Sequence, residues 1–251
     1  MKKFLAFTMA AAMTLSLAAC GGGSGSGSNT SADGSGSAAF KLGGTGPLTG
    51  DASIYGLAAQ RGAQIAVDEI NAEGGAIQFE LKYEDDVNDP EKAVNAYNAL
   101  KEWGMQISLG SVTTQPCIAT SSYNFADSIF ALTPSASSPD VISGKDNVYQ
   151  MCFSDPNQGT ASAKYISEQK LGEKVFIIWK SDDNYSTGIK DKFVAEAETL
   201  GLNVVGNATF TADSKNDFTV QLTQAKQAGA DLLFLPIYYD AASLILTQAN
   251  A

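Results

Sequence analysis

The sequence predicts an α/β protein of two lobes, each a mostly parallel sheet covered by helices on both faces. From residue 40 onward, short apolar runs alternate with longer stretches whose apolar residues recur at helical spacing. After a strand at 148–153 the alternation starts again, which implies a second lobe. Polar residues cluster just after the strands, where ligands bind in such sheets.

In order, a strand opens at 40–42, and a helix follows at 54–71 with Ile54, Leu57, Ala58, Ile65, Ala66 and Ile70 as its apolar stripe. Gly74 and Gly75 end that helix. A strand at 77–83 precedes Asp89, Pro90 and Glu91, which read as an N-cap, a first-position proline and an early acid. The helix they start runs to Trp103. Strand 105–109, helix 114–126, strand 129–132, a loop through Ser138, Pro139 and Asp140, and strand 148–153 complete the first series. The second series reads helix 157–168, strand 175–179, helix 187–200, strand 203–209, helix 217–228, strand 232–235 and helix 241–249.

Ahead of these elements, Lys2 and Lys3 precede an apolar run and then Leu17, Ala18, Ala19 and Cys20. That is an export signal over 1–19, too short to span a membrane. The tetrad resembles a bacterial lipobox, which makes Cys20 the lipidated residue and residues 20–38, rich in Gly and Ser, a tether to the membrane. The other cysteines, Cys117 and Cys152, lie in separate apolar stretches and are expected to be free, buried thiols, with pairing open in an oxidising compartment.

Composition narrows the function. The chain carries 16 basic and 27 acidic residues, a net charge of −11, which disfavours nucleic acid as a partner. It contains no histidine, which excludes Ser-His-Asp and Cys-His nucleophiles and histidine metal sites within it. Neither a metal nor a cofactor is implied, and an enzyme is disfavoured. Asp85 and Asp86, with Glu84 and Asp89 near, are too few and too spread for a metal and read as a solvated turn and helix cap. Asp155 and Gln158 read as caps of the helix at the lobe junction, with a hinge role open.

The run FKLGGTGPLTG at 40–50 raises the question of a phosphate cradle, since a strand, a glycine turn and a helix start together favour an anion. A dinucleotide fingerprint needs glycine at 49, which is Thr, and a P-loop needs Lys at 51, which is Asp. A glycine-rich loop carrying Tyr55 to the rim of a cleft is what remains.

GPLTG, Tyr55-Gly56, RGAQIAVDEINAEGG, YEDDVNDPEKAV, TPSASSP, DPNQGTASAKYI, DDNYSTGIKDKF and the run at 215–240 occur here in one order. Together they resemble the leucine/isoleucine/valine-binding proteins of bacterial ABC importers, from about residue 40 to 251. The resemblance implies the periplasmic-binding-protein type I fold, a two-lobed trap with lobes at 39–154 and 155–251. It implies capture of a branched-chain or similar amino acid, delivery to an ABC permease, and an extracytoplasmic, lipid-anchored location. A ligand-sensing domain on the same fold is the alternative.

The same resemblance implies that the ligand carboxylate is held by Thr114, with Thr113 as a nearby alternative, and by Ser135 and Ser137. The same hydroxyls also suit helix caps and turns. Tyr55 would cover the ligand from one lobe, and Tyr185 and Tyr238 from the other, with one of Tyr238 and Tyr239 in the core. The acid that takes the ammonium in the family would lie beyond residue 251, so the second lobe is expected to be incomplete and to expose apolar sheet surface.

Overall fold

A computed structural model describes residues 39–250. The export signal, Cys20 and the tether at 1–38 lie outside the described residues. The first sheet contains β1 (Phe40–Gly46), β2 (Phe79–Asp85), β3 (Ile107–Ser111), β4 (Phe130–Thr133) and β5 (Val148–Gln150), in the spatial order β2-β1-β3-β4-β5 and parallel throughout. Its helices are α1 (Ser53–Ala72), α2 (Pro90–Trp103) and α3 (Thr114–Ala126). The second sheet contains β6 (Val175–Lys180), β7 (Val204–Phe210) and β8 (Leu232–Phe234), ordered β7-β6-β8 and also parallel. It is wrapped by α4 (Asp155–Gln169), α5 (Asn184–Leu200), α6 (Thr219–Gln227) and α7 (Tyr239–Ala249). Among the described residues no helix is long and apolar enough to cross a membrane.

Each sheet reverses its strand order once, between β1 and β3 in the first and between β6 and β8 in the second. The loops that leave neighbouring strands at such a point run to opposite faces and open a crevice. Tyr55 follows β1, Thr113 and Thr114 follow β3, Tyr185 follows β6 and Tyr238 follows β8. Topology alone therefore aims these residues at two crevices.

The local signals hold where they are strongest. Asp89 caps α2 by accepting from Lys92 N at 2.8 Å, and Pro90 takes the first helical position. Gly104, at φ 95°, closes the helix while Met105 N donates to Leu100 O at 3.0 Å. Gly74, at φ 69°, follows α1 as expected, whereas Gly75 has no such conformation.

The glycine run is not a turn. Gly43, Gly44 and Gly46 lie inside β1, because a Cβ there would collide with Met105, the Tyr83 ring and Val112 respectively. The glycines let large neighbours pack onto a buried strand, and the loop is confined to residues 47–52. Tyr55 consequently sits in the first turn of α1 rather than on a glycine loop.

Just after it, Gly56 packs against the Pro47 backbone so closely that a Cβ would strike the Pro47 carbonyl. Alanine normally stabilises a helix by about 1 kcal/mol over glycine. Here Gly56→Ala is expected to destabilise by about 2 kcal/mol, because backbone cannot yield as a flexible side chain does. A urea unfolding curve showing the variant as stable as the parent would refute this packing.

Several boundaries differ from expectation. The last strand of the first series stops at Gln150, leaving Phe153 63% exposed, and α4 and α5 begin two and three residues early, at Asp155 and Asn184. The strand at 232 ends at Phe234, so Tyr238 and Tyr239 start α7 and neither is a core residue.

Nor does the second lobe present a bare sheet. Phe176, Ile178, Phe210, Phe218 and Ile245 fill one face of its sheet, and Ile166, Val175, Ile177 and Phe193 the other. Leu232, Leu233 and Phe234 on the edge strand pack against these groups. The helices already in place cover both faces.

Candidate functional site

Tyr55, Thr113, Thr114, Ser135, Ser137, Tyr185 and Tyr238 all line one cavity of 330 Å³ between the two lobes. Val112, Pro134, Cys152, Phe153 and Gln158 complete its wall, and no lining residue is charged.

The polar end is built by two strand ends. Thr113 is the residue before α3 and Thr114 its first, both buried. The Thr113 hydroxyl makes no capping bond and its buried Oγ1 has no partner, so the capping role expected of it is not used. Thr114 Oγ1 accepts from Ser137 N at 3.3 Å.

After β4, Thr133 Oγ1 donates to Ser111 O at 2.7 Å and accepts from Ala136 N at 3.1 Å, folding the next residues into a tight turn. Gln150 Nε2 holds that turn through Ala136 O at 2.7 Å and Ser138 O at 2.8 Å. Ser135 is exposed on the turn, whereas Ser137 is buried and donates its hydroxyl to Asp155 Oδ1 at 2.6 Å.

The aromatic end comes from both lobes. Tyr185 and Tyr238 stack with centroids 4.8 Å apart and planes 6° from parallel. Tyr55 leans on Tyr238 at 5.6 Å, and its hydroxyl accepts from Tyr239 N at 3.3 Å. Burial pushes the phenols of Tyr185 and Tyr238 above their ordinary value, so both stay neutral.

Other bonds join the lobes nearby. Lys215 pairs with Asp51, Gln115 Nε2 donates to Asp182 O at 2.7 Å, and Asn184 Nδ2 donates to Asp140 Oδ2 at 3.4 Å. On the other side of Tyr238 lies a second cavity of 360 Å³, whose wall mixes Lys180 and Lys215 with Asp51, Asp183 and Asp240.

The acids depart from expectation. Asp85 accepts from Leu48 N at 2.8 Å, Thr49 Oγ1 at 2.5 Å and Val87 N at 2.9 Å, tying the loop after β1 to the end of β2. Burial works to raise its pKa, but these donors outweigh it and hold the carboxyl below its usual range. Asp86 is not solvated: it is wholly buried, Oδ1 accepts from Asn88 N at 2.9 Å, and Oδ2 has no partner. Desolvation raises its pKa to about 6. Asp155 caps nothing, since Ser154 holds the cap position of α4, and instead sits fully buried behind Ser137. Gln158 lies on the cavity wall with Oε1 unpartnered. Among the described residues no cluster of acids or cysteines could hold a metal.

Cys117 and Cys152 are free. Burial pushes the Cys117 thiol up to about 11, making it an inert core group. Cys152 is only half-buried and faces the cavity, a position hidden by assigning it to the interior of a strand. Cys152 and Phe153 follow the true end of β5, so the rule that ligands lie beyond strand ends would have found them.

Residues 39–251 match the family of periplasmic binding proteins. The Leu/Ile/Val-binding protein BraC3 of Rhizobium johnstonii is 31% identical over 216 residues, covering 85% of this chain and 58% of that protein. A leucine-, isoleucine-, valine-, threonine- and alanine-binding protein of Pseudomonas aeruginosa is 30% identical over 216 residues, covering 84% and 57%. Among solved structures, the branched-chain amino acid transporter substrate-binding protein LivJ of Streptococcus pneumoniae, in complex with isoleucine, superposes with a TM-score of 0.77 at 29% identity. That match covers 84% of this chain and 60% of LivJ. This chain thus spans less than two thirds of the length of these relatives. With the parallel two-sheet architecture and the full extent of the match, the chain belongs to the periplasmic binding protein family.

Proposed function

We propose that this protein is an extracytoplasmic solute-binding protein, not an enzyme, that captures an amino acid of branched-chain or similar type between its lobes and delivers it to an ABC permease. Its lobes would meet at the junction of residues 154 and 155, and Cys20 would carry the lipid that anchors it to the membrane.

The observation that carries this reading is the uncharged cavity of 330 Å³ walled by hydroxyls from the first lobe and tyrosines from both. Its size suits a small molecule. Neutral donors satisfy a carboxylate without a buried countercharge. Thr113, Thr114, Ser135 and Ser137 would face the ligand's carboxylate, and Tyr55, Tyr185 and Tyr238 its side chain. A ligand that touches both lobes favours their closure, and closure is what a permease can sense.

Thermal unfolding with each of the common amino acids and related small amides tests this. Saturation at a hundredfold excess over Kd stabilises by about 2.7 kcal/mol. In a chain of this size that raises Tm by roughly 5–10 °C. If no amino acid or amide moves Tm, the proposal is wrong.

A further inference from the structure

Ser137 has one hydroxyl proton, and the structure spends it on Asp155. The two residues are locked by a pair of bonds: Asp155 N donates to Ser137 O at 3.0 Å, and Ser137 Oγ donates to Asp155 Oδ1 at 2.6 Å. While that second bond stands, Oγ can offer the cavity only lone pairs, so it cannot donate to a carboxylate.

The surroundings leave Asp155 no other partner. It is fully buried and its Oδ2 is unpartnered. Gly188 of α5 packs directly over it, where an added Cβ would lie 3.1 Å from Asp155 Cβ. The ionisable groups acting on or near it are Asp140 on the turn after β4, Asp183 at the start of α5, the phenols of Tyr185 and Tyr238, and the thiol of Cys152. None is a cation; Lys180 acts on Asp183.

We propose that Asp155 is a positioning residue that sets the polarity of Ser137. Ionised, Asp155 draws the hydroxyl proton and leaves Oγ as an acceptor toward the cavity. Protonated, it donates to Oγ and frees the Ser137 hydroxyl to donate to a ligand carboxylate. Holding a carboxylate at Ser137 is therefore coupled to uptake of one proton from solvent by Asp155. Both forms are accessible near neutrality: desolvation raises the Asp155 pKa to about 6, with Asp183 and Asp140 adding to the rise and the Ser137 hydroxyl opposing it.

This inference rests on the carboxylate reading of the cavity, and two measurements separate their failures. In calorimetric titrations with L-leucine, whose own charges do not change over this range, Kd is expected to rise about 25-fold from pH 5.5 to pH 7.5. Asp155→Asn, which keeps the shape and can donate to Oγ at any pH, is expected to bind leucine with a flat profile. Leucine binding with no pH dependence in the parent, or the same slope in Asp155→Asn, overturns the proposal.

Carbon-13 NMR of the ligand-free chain follows the Asp155 carboxyl directly, in the parent and in Ser137→Ala. Loss of its one hydroxyl donor is expected to move the Asp155 midpoint upward, and an unchanged midpoint overturns the coupling. If neither leucine nor any other amino acid binds, the functional reading fails, while the NMR titration still decides whether Ser137 and Asp155 share the proton.

Discussion

Tyr238→Ala is expected to weaken L-leucine binding about a hundredfold, in line with the 2 kcal/mol or more that buried aromatic anchors contribute. Among the described residues Tyr238 is the one side chain that walls both of these interlobe cavities, and it stands between Tyr185, stacked at 4.8 Å, and Tyr55 at 5.6 Å. Removing it would take away the proposed ligand contact and also one of the rings by which the lobes touch. Tyr239→Ala is the control: it keeps the backbone N–H that reaches the Tyr55 hydroxyl, loses only an edge contact of its ring with Tyr55 at 5.8 Å, and is not part of the cavity wall. The control should bind within about threefold of the parent, as rim contacts do. Calorimetry on both variants decides it, and parental affinity in Tyr238→Ala would remove this residue from the site.

Phe193→Ala should cost about 3–5 kcal/mol of stability, the range for deleting a buried aromatic ring. Phe193 is fully buried in α5 and stacks on Phe234 with centroids 3.9 Å apart. The gap left behind has little means of closing. Gly159 of α4 packs against the α5 backbone at Ile189 and Phe193, where a Cβ would lie 2.8 Å from Phe193 N, so the two helices are already as close as they can come. Equilibrium unfolding in urea measures the loss, and a cost below about 1.5 kcal/mol would mean the second lobe repacks around the missing ring.

What could be read from the sequence was what local chemistry dictates. Asp89, Pro90 and Gly104 act within one turn of their own helix, so the expected cap, start and stop of α2 are all present. The placing of Tyr55, Thr114, Ser137, Tyr185 and Tyr238 at strand ends needed only the alternation of elements and the order of motifs. The sheet reversals aim all of them but Ser137 at the cleft, and Ser137 joins them from the turn after β4 to wall one cavity.

What escaped depends on partners far along the chain. Gly43 and Gly44 look like a turn until Met105 and Tyr83 are seen occupying the space above them. Asp86 looks solvated and Asp155 looks like a helix cap, because acids usually take such places. Their burial is set by packing of later segments, and for Asp155 the α5 face at Gly188, more than thirty residues on, closes the lid.

The polar bonds across the cleft, Lys215 with Asp51, Gln115 with Asp182 and Asn184 with Asp140, lie outside the 330 Å³ cavity. A protein whose competent form is only partly populated shows an apparent Kd raised by that fraction, whatever the ligand. If the cavity holds a solute as proposed, sequence change at these rim residues would set how tightly every solute is held while leaving their rank order untouched. On the proposed function, tightness and discrimination would then rest on separate residues, so a lineage could retune one to a leaner or richer medium without relearning the other.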